Sequence, residues 1–592
     1  MKIIKNNMKL LSLIVKNVPF YLIITIVDNI FLGVINSYAS VYFIKIFIDR
    51  IVSNVPISDV LSLIGKFFVA YLFGYLFHVW YLYIFKPKSE HLIHKKIQGI
   101  LLKKASQIKM ECYDDPEYFN DFIWSMNEAD RETTSLIDDL GLLCNRITSV
   151  GTIVVVLGAI NKVILLLIVF CVIVSLIFKM INTKQTYKKD CSMQNVHRKL
   201  DYIDRVYYLK EYAEDVRKTN ITFLLDRKFK DCIKEKRKLV KEHGMKLSVL
   251  GLASDVSSST IFNIGVWLLL IYEIQIKQTI SPGDFAACAS SCWRLFWQIN
   301  SILNVVTSMQ RRNLYIKRVF EFLNNKKCTT LNVKEGRAPE FKNVISFRNV
   351  SFRYPGNKKD TISNVTFDIN IGEKIVLVGS NGAGKTTLVK LLLRLYEPTD
   401  GFILLDGKDI RDIPINDYRL LFGTVFQDFQ MYALSVAENV LMDVFECEKE
   451  KVVLSALKFS NFNKLINTYE SGISTVVTKE FSKDGLELSK GEQQKLAISR
   501  ILVDKRKIAV LDEPSSSLDA ASEDEVNRIF LSEHMPETIV FISHRLSSAT
   551  VADKIIVLEK GEIVEQGTHS QLINNNNIYA KLFKTQAKKF KI

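Results

Sequence analysis

Apolar runs long enough to cross a bilayer fill residues 19–307 and then stop. A span takes about 20 mostly apolar residues, and candidates fall at 19–48, 60–85, 145–160, 163–181, 247–275 and 284–307. In lipid each helix satisfies its own backbone, so the first half of the chain is constrained to a six-span helical bundle. The third and fourth runs are short taken singly, and only Asn161 and Lys162 part them. They read as a tight hairpin on the outer side, with both helices continuing into water on the inner side.

Basic residues orient these spans. Segments 86–134 and 182–246 are rich in Lys and Arg, whereas the joints at 50–59, 161–162 and 276–283 are not. By the cytoplasmic excess of positive charge, both termini are expected in the cytosol. Each basic segment is long enough for helices reaching about 35–40 Å beyond the bilayer. Each also has a turning point that mixes aromatic and acidic residues, at Tyr113–Asn120 and Glu211–Val216, of a kind that could dock on a soluble domain. Residues 1–18 read as an amphipathic helix on the inner membrane surface rather than a cleavable signal peptide.

With 592 residues the chain exceeds one hydrophobic core, and beyond residue 345 short apolar strands alternate with charged, glycine-containing turns. The expected division is 1–18 surface helix, 19–323 transmembrane domain, 324–344 linker and 345–592 soluble α/β domain. The net charge of +16 fits cytoplasmic faces against anionic lipid headgroups, with no nucleic-acid partner. Nine cysteines are scattered without a CxxC pair, so neither a metal site nor structural disulfides are expected.

The chemistry concentrates in the soluble half. The apolar strand Lys374–Val378 runs into Gly379-Ser380-Asn381-Gly382-Ala383-Gly384-Lys385-Thr386-Thr387 and an apolar helix, which is the P-loop pattern in its strand-loop-helix setting. Glycines allow the tight turn that aims backbone N–H groups at phosphate oxygens, and the helix dipole adds positive potential. Lys385 is placed for the β and γ phosphates of ATP and Thr386 for Mg2+. A second apolar strand, Ile508–Leu511, ends in Asp512-Glu513. Asp512 suits the Mg2+ shell, and Glu513 suits polarising the attacking water.

In this company residues 345–585 resemble the nucleotide-binding domain of the ATP-binding cassette (ABC) family, and the whole chain is similar to a bacterial half-transporter exporter. The implied fold is a six-span α-helical transmembrane domain with long cytoplasmic extensions, joined to an α/β P-loop ATPase domain. The resemblance implies that Tyr354 stacks on adenine and that Gln427 senses the metal and the transmembrane domain. Leu488-Ser489-Lys490-Gly491-Glu492 is similar to the family signature, usually Leu-Ser-Gly-Gly-Gln, so Ser489, Gly491 and Glu492 would face the other subunit's γ phosphate. Lys490 and Glu492 depart from that pattern. Asp519 would lie on the loop passing between the two sites, and His544 would be the γ-phosphate switch.

The same resemblance implies ATP-driven export across the bacterial cytoplasmic membrane by a dimer, either of two copies of this chain or with a related half-transporter, in contact with membrane lipids. The alternative is an ATP-gated channel or a non-transporting membrane regulator. The exported substrate is left open among peptides, lipids and amphipathic small molecules. No Cys/His peptidase segment precedes the first span, so cleavage of a leader peptide is not expected. Polar residues within the apolar runs mark a candidate substrate cavity: Asp28, His78, Asp255, Trp293, Arg294 and Trp297. Arg294 with its two tryptophans either recognises a substrate or pairs with Asp28 or Asp255.

Overall fold

A computed structural model describes residues 2–160, 162–256, 261–277, 280–325, 339–503, 506–514, 528, 535–543 and 548–590. The chain divides into two compact units, the first comprising residues 1–105 and 120–325 and the second residues 106–119 and 326–592.

The first unit is helical. Helix α1 (Lys2–Asn17) buries Leu10 and Ile14 while Met8 and Val15 stay exposed, the two-faced pattern of a surface helix. The following helices are α2 (Pro19–Val52) and α3 (Ile57–Ala105), then α4 (Pro116–Ile160), α5 (Lys162–Tyr208), α6 (Lys210–Lys218) and α7 (Ile221–Asp255). Helices α8 (Ile261–Tyr272) and α9 (Pro282–Asn324) complete it. Proline opens α2 and α9, where its missing N–H costs nothing. Ser281 and Asp284 form a reciprocal capping box at the start of α9.

Among the described residues, Pro19–Val52, Ile57–Ala105 and Arg131–Ile160 combine the length and apolarity of a span. The other apolar runs of the sequence fall in α5, in α7 with α8, and in α9. At 45 and 47 residues, α4 and α5 measure about 70 Å, twice the ~30 Å hydrocarbon layer. The expected extension of spans into long helices is therefore present. On α3, Phe68, Phe73 and Tyr83 remain 61–73% exposed, an apolar face suited to lipid.

Small residues bring α2 and α4 together. A Cβ on Gly33 would lie 2.6 Å from the Asn145 carbonyl oxygen, and Ser149 Oγ donates to the Gly33 carbonyl at 3.1 Å. Charges then fasten α9. Arg312 donates through Nε to Glu132 at 2.9 Å and through Nη1 to Asp139 at 2.6 Å, both on α4. Lys45 on α2 pairs with Asp284 on α9, and Gly283 N–H donates to Asp49 at 3.0 Å.

The second unit holds two sheets. Strands β1 (Val344–Phe352), β2 (Ile362–Asn370), β4 (Asp400–Leu405) and β5 (Lys408–Asp409) form an antiparallel sheet in the order β2-β1-β4-β5. The other sheet has the order β10-β9-β3-β8-β7-β6, from β3 (Lys374–Gly379), β6 (Phe422–Val425), β7 (Ile508–Asp512), β8 (Thr538–Ile542), β9 (Lys554–Glu559) and β10 (Glu562–Gly567). All neighbours in it are parallel except β9 and β10. Strands β7 and β8 are buried throughout, which explains their continuous apolar sequences. One core, including Ile345, Phe347, Ile375 and Leu388, lies between the two sheets. A second helical cluster gathers Val436, Val453, Leu457 and Leu496 from α11 (Val436–Leu441), α12 (Glu450–Phe459) and α13 (Lys490–Val503), where α10 is Lys385–Leu392.

The first turning point belongs to this second unit, since residues 106–119 cluster with it. Asp114 Oδ2 there accepts a hydrogen bond from Tyr396 at 2.7 Å, and burial together with that carboxylate raises the Tyr396 phenol above its ordinary pKa. The second turning point, α6, lies in the first unit. Contrary to the expectation of no structural disulfides, Cys112 is disulfide-bonded, to a cysteine outside the described side chains. Sequence spacing gave no sign of it, because the bridge joins cysteines distant along the chain.

Arg312→Met should lower the stability of the helical unit by about 3 kcal/mol, because two carboxylates would then remain between helices without their cation. Thermal unfolding in detergent reads this as a fall in midpoint, and an unchanged midpoint would show that Glu132 and Asp139 find other partners.

Candidate nucleotide site

Four strands of the parallel sheet end side by side in the order β3, β8, β7, β6, and the sequence-predicted phosphate residues sit at those ends. This is the edge where open α/β sheets bind ligands. Gly379 closes β3 so near to β9 that a Cβ would stand 2.3 Å from the Leu558 carbonyl oxygen. Gly382 and Gly384 take φ of +78° and +103°, and a Cβ on Gly384 would meet Ile362 Cδ1 at 2.5 Å. Only glycine fits there. The loop Ser380–Gly384 therefore wraps the start of α10, closed by the Ala383 N–H donating to the Ser380 carbonyl at 3.1 Å, in the form that brings loop and helix N–H groups toward an anion.

Lys385 is 6% exposed, and its Nζ donates to the carbonyls of Gly379 and Ser380 at 2.9 and 3.0 Å. Burial lowers its pKa, opposed by the carboxylates of Glu513 and Asp512. Asp512, at the end of β7, is 1% exposed, and burial raises its pKa against a hydrogen bond from Thr386. Its Oδ1 has no hydrogen-bond partner among the described residues. A buried carboxylate oxygen left open beside a threonine hydroxyl is the donor set that Mg2+ takes.

Glu513 occupies the left-handed region at φ +50°, a backbone conformation that costs on the order of 1–3 kcal/mol for a non-glycine residue. The strain is held by its N–H, which donates to the Ile542 carbonyl of β8 at 3.1 Å. The side chain is thereby turned off the strand line, and Gln427 Nε2, just beyond β6, donates to its Oε2 at 3.0 Å. Sequence reasoning placed Glu513, Gln427 and Asp512 separately, and the sheet order brings them together.

Tyr354 joins the site from the antiparallel sheet. Its hydroxyl is 3.2 Å from Thr387 Oγ1, its ring stands edge-on to Phe352 and Tyr396 at 4.9 and 5.2 Å, and Lys390 Nζ lies 5.6 Å from the ring centroid. Tyr396 was missed by sequence reasoning. Its only signal was an aromatic residue following the P-loop helix, which packing explains as readily.

Ser489, Gly491 and Glu492 lie in one turn at the start of α13, where Ser489 and Glu492 bond to each other. Glu492 Oε2 accepts from both the N–H and the hydroxyl of Ser489 at 2.8 Å, and Glu492 N–H points back at Ser489 Oγ at 3.4 Å. This reciprocal pair is a capping box. The Ser-x-x-Glu signal was present in the sequence, and it accounts for Glu492 where the family pattern has Gln. Asp519 and His544 lie outside the described residues.

The polar residues of the candidate substrate cavity fall in the first unit. Asp28 is 1% exposed and its Oδ2 is 3.0 Å from His78 Nδ1. Arg294 bonds instead to the Asn36 carbonyl and the Ser40 hydroxyl of α2, so the expected alternative of an Arg294–Asp28 pair does not form. Trp297 is 59% exposed. The side chains of Asp255 and Trp293 lie outside the described residues.

Residues 362–516 match the family model described as ABC transporter. The chain is 26% identical over 599 residues to the subtilin transport ATP-binding protein SpaT of Bacillus subtilis, covering 98% of this chain and 96% of that one. It is 31% identical over 311 residues to an ATP-dependent lipid A-core flippase of Vibrio parahaemolyticus, where the match spans about half of each chain, 52% in both. Among solved structures, a bacterial Atm1-family ABC exporter with ATP bound superposes with a TM-score of 0.75 at 20% identity, over 97% of this chain and 99% of that chain. That likeness establishes the fold.

Gly384→Ala, which sets a methyl group against Ile362 at a left-handed φ, is expected to weaken ATP binding about tenfold or more. Titration with a fluorescent ATP analogue checks this. Unchanged affinity would mean the loop accommodates a side chain.

Proposed function

From the premise that this chain is an ABC exporter half-transporter, a helical unit fused to an ABC transporter ATPase domain, we propose that it hydrolyses ATP to export an amphipathic cargo, peptide or lipid-like, across the bacterial cytoplasmic membrane. The observation that carries this reading is the buried Lys385 and Asp512 at the edge of one sheet, with Glu513 turned toward them under backbone strain. A relative named for subtilin transport and another named as a lipid A-core flippase support cargoes that are at least partly apolar.

In this reading ATP lies along the loop Gly379–Thr387, with adenine against Tyr354. Phosphate oxygens take the loop N–H groups, and the Lys385 ammonium exchanges its two carbonyl acceptors for the β and γ oxygens. Asp512 and Thr386, with Gln427, would hold Mg2+, which draws charge from the β and γ phosphates. Glu513 accepts a proton from the attacking water, and Gln427, already bonded to it, positions its carboxylate. By the family resemblance alone, His544, which follows β8 in sequence, would contact the γ phosphate and Asp519 would belong to the loop between the two sites.

The second half of each site comes from a second copy of the chain, whose Ser489 hydroxyl and Gly491 N–H at the start of α13 face the γ phosphate. Two copies then enclose two ATP molecules, and closure of the ATPase units moves the helices attached to the turning points. The Lys- and Arg-rich segments 86–134 and 182–246 support a cytosolic position for those turns and both termini, with the apolar face of α3 against lipid.

Glu513→Gln should cut ATP hydrolysis by about 10²–10⁴-fold with ATP binding retained. The check is phosphate release from the purified chain in lipid nanodiscs, and a variant that still hydrolyses at the parental rate would remove Glu513 from the chemistry. A second outcome concerns the signature turn, where the Glu492 carboxylate holds the Ser489 hydroxyl that phosphate would need. Glu492→Gln keeps an acceptor for the cap but removes the negative charge, and should tighten ATP-dependent dimerisation about fivefold, close to 1 kcal/mol. Weaker dimerisation on that substitution would instead give the carboxylate a direct part in closure.

A further inference from the structure

Arg146 and Arg294, facing each other across α4, α9 and α2 of the helical unit, meet no carboxylate among the described residues. Arg146 on α4 donates through Nη1 to Gln298 Oε1 at 2.8 Å and through Nε to Ser301 Oγ at 3.1 Å. Arg294, one turn before Gln298 on α9, donates through Nη1 to the Asn36 carbonyl and the Ser40 hydroxyl of α2. Every one of these acceptors is neutral. The two arginines therefore bracket the same turn of α9. Each is half-buried, and the Nη2 of each takes no acceptor among the described residues.

The depth of the pair makes this costly. Arg146 precedes the outer end of α4 at Ile160 by 14 residues, and Arg294 follows the outer end of α9 at Pro282 by 12. At 1.5 Å per residue both lie about 20 Å in from those ends, within a ~30 Å hydrocarbon layer. Intramembrane charge of this kind is normally neutralised by a partner or given a function. Several other cations of the unit do meet carboxylates: Lys45 with Asp284, Lys86 with Asp138, and Arg312 with Glu132 and Asp139. The Arg146–Arg294 pair departs from that pattern, with unspent donors left accessible.

The surroundings are apolar. Val41, Ile153 and Leu295 are buried in one cluster beside the pair, and Trp297, three residues beyond Arg294, is exposed. We propose that Arg146 and Arg294 receive the anionic group, phosphate or carboxylate, of an amphiphilic cargo whose apolar body lies against the neighbouring helices. This rests on the export function proposed above and assigns its substrate class. Guanidinium forks suit such groups because two parallel N–H donors match two oxygens, and a site of low dielectric strengthens the charge-assisted bonds. The bound anion would supply the missing counter-charge, so a cargo of the wrong sign meets two like charges.

The test uses the full chain in phosphatidylcholine nanodiscs without nucleotide, and measures binding of four probes: dodecyl phosphate, dodecylphosphocholine, dodecyltrimethylammonium and inorganic phosphate. Dodecyl phosphate is expected to bind at least tenfold tighter than the zwitterionic and cationic chains of equal length, and tighter than inorganic phosphate by a similar factor. Arg294→Gln and Arg146→Gln, singly and together, should remove that preference, and Arg294→Lys should recover most of it. The single variants keep the measurement available if the double variant does not fold. Equal affinity for the three amphiphiles, or a preference that survives both glutamine substitutions, would overturn the proposal. Inorganic phosphate binding as tightly as dodecyl phosphate would also overturn it, by reducing the pair to a simple anion site. Since no nucleotide is present, these outcomes are separate from the export reading, which fails instead on loss of ATP hydrolysis or of transport in the unaltered chain.

Discussion

A lysine and an aspartate buried at one edge of a parallel sheet, with another strand between theirs, set the terms for the ATPase unit. Neither charge is neutralised by direct contact: Lys385 is capped by two carbonyls and Asp512 keeps one oxygen open. Burial works against both ionised states, lowering the lysine and raising the aspartate. A phosphate carrying a divalent cation would relieve both at once, meeting the ammonium with anionic oxygens and the carboxylate with a metal. The strand order, the glycine loop and the strained turn at Glu513 all serve to bring the third charge to that place. Strain stored in the backbone at Glu513 is affordable because β7 and β8 are completely buried and hold it from both sides.

The helical unit solves a related problem with other means. Several of its charges are matched across helices, with Arg312 clasping two carboxylates of α4 and Asp28 facing His78. Where small residues allow, backbones come close enough to bond side chain to carbonyl, as at Gly33 and Ser149. The unmatched arginines stand out against that background, and the sign of what they await follows from it.

Much of this was legible in the sequence where chemistry depends on contiguous residues. The P-loop carries its strand, turn and helix in order, and apolar stretches declared the helical half. What depends on pairing across distance was not legible. His78 is 50 residues from Asp28, Arg146 is 148 residues from Arg294, and neither pair has a periodic signal. The left-handed backbone of Glu513 has no sequence mark, since glutamate is not a residue that favours it. The Ser489–Glu492 box was readable, because Ser-x-x-Glu at a helix start has a known geometry, but comparison with the family signature made Glu492 look like a departure rather than a cap. The bridge at Cys112 was hidden because isolated cysteines carry no pairing information.

The short segment 106–119 lies in the ATPase unit although helices of the other unit flank it in sequence. Asp114 and the tyrosine that bonds it are 282 residues apart. During synthesis at roughly 5–20 residues per second, this turn leaves the ribosome tens of seconds before its partner surface exists. Until then its acidic and aromatic side chains have no ATPase sheet to pack against. The turn thus marks the order of assembly, because the helices it joins are synthesised early, whereas the turn itself packs only when the unit containing Lys385 has formed. A lesion that slows folding of the ATPase unit would therefore be felt in this turn as well, hundreds of residues along the chain from where the substitution lies.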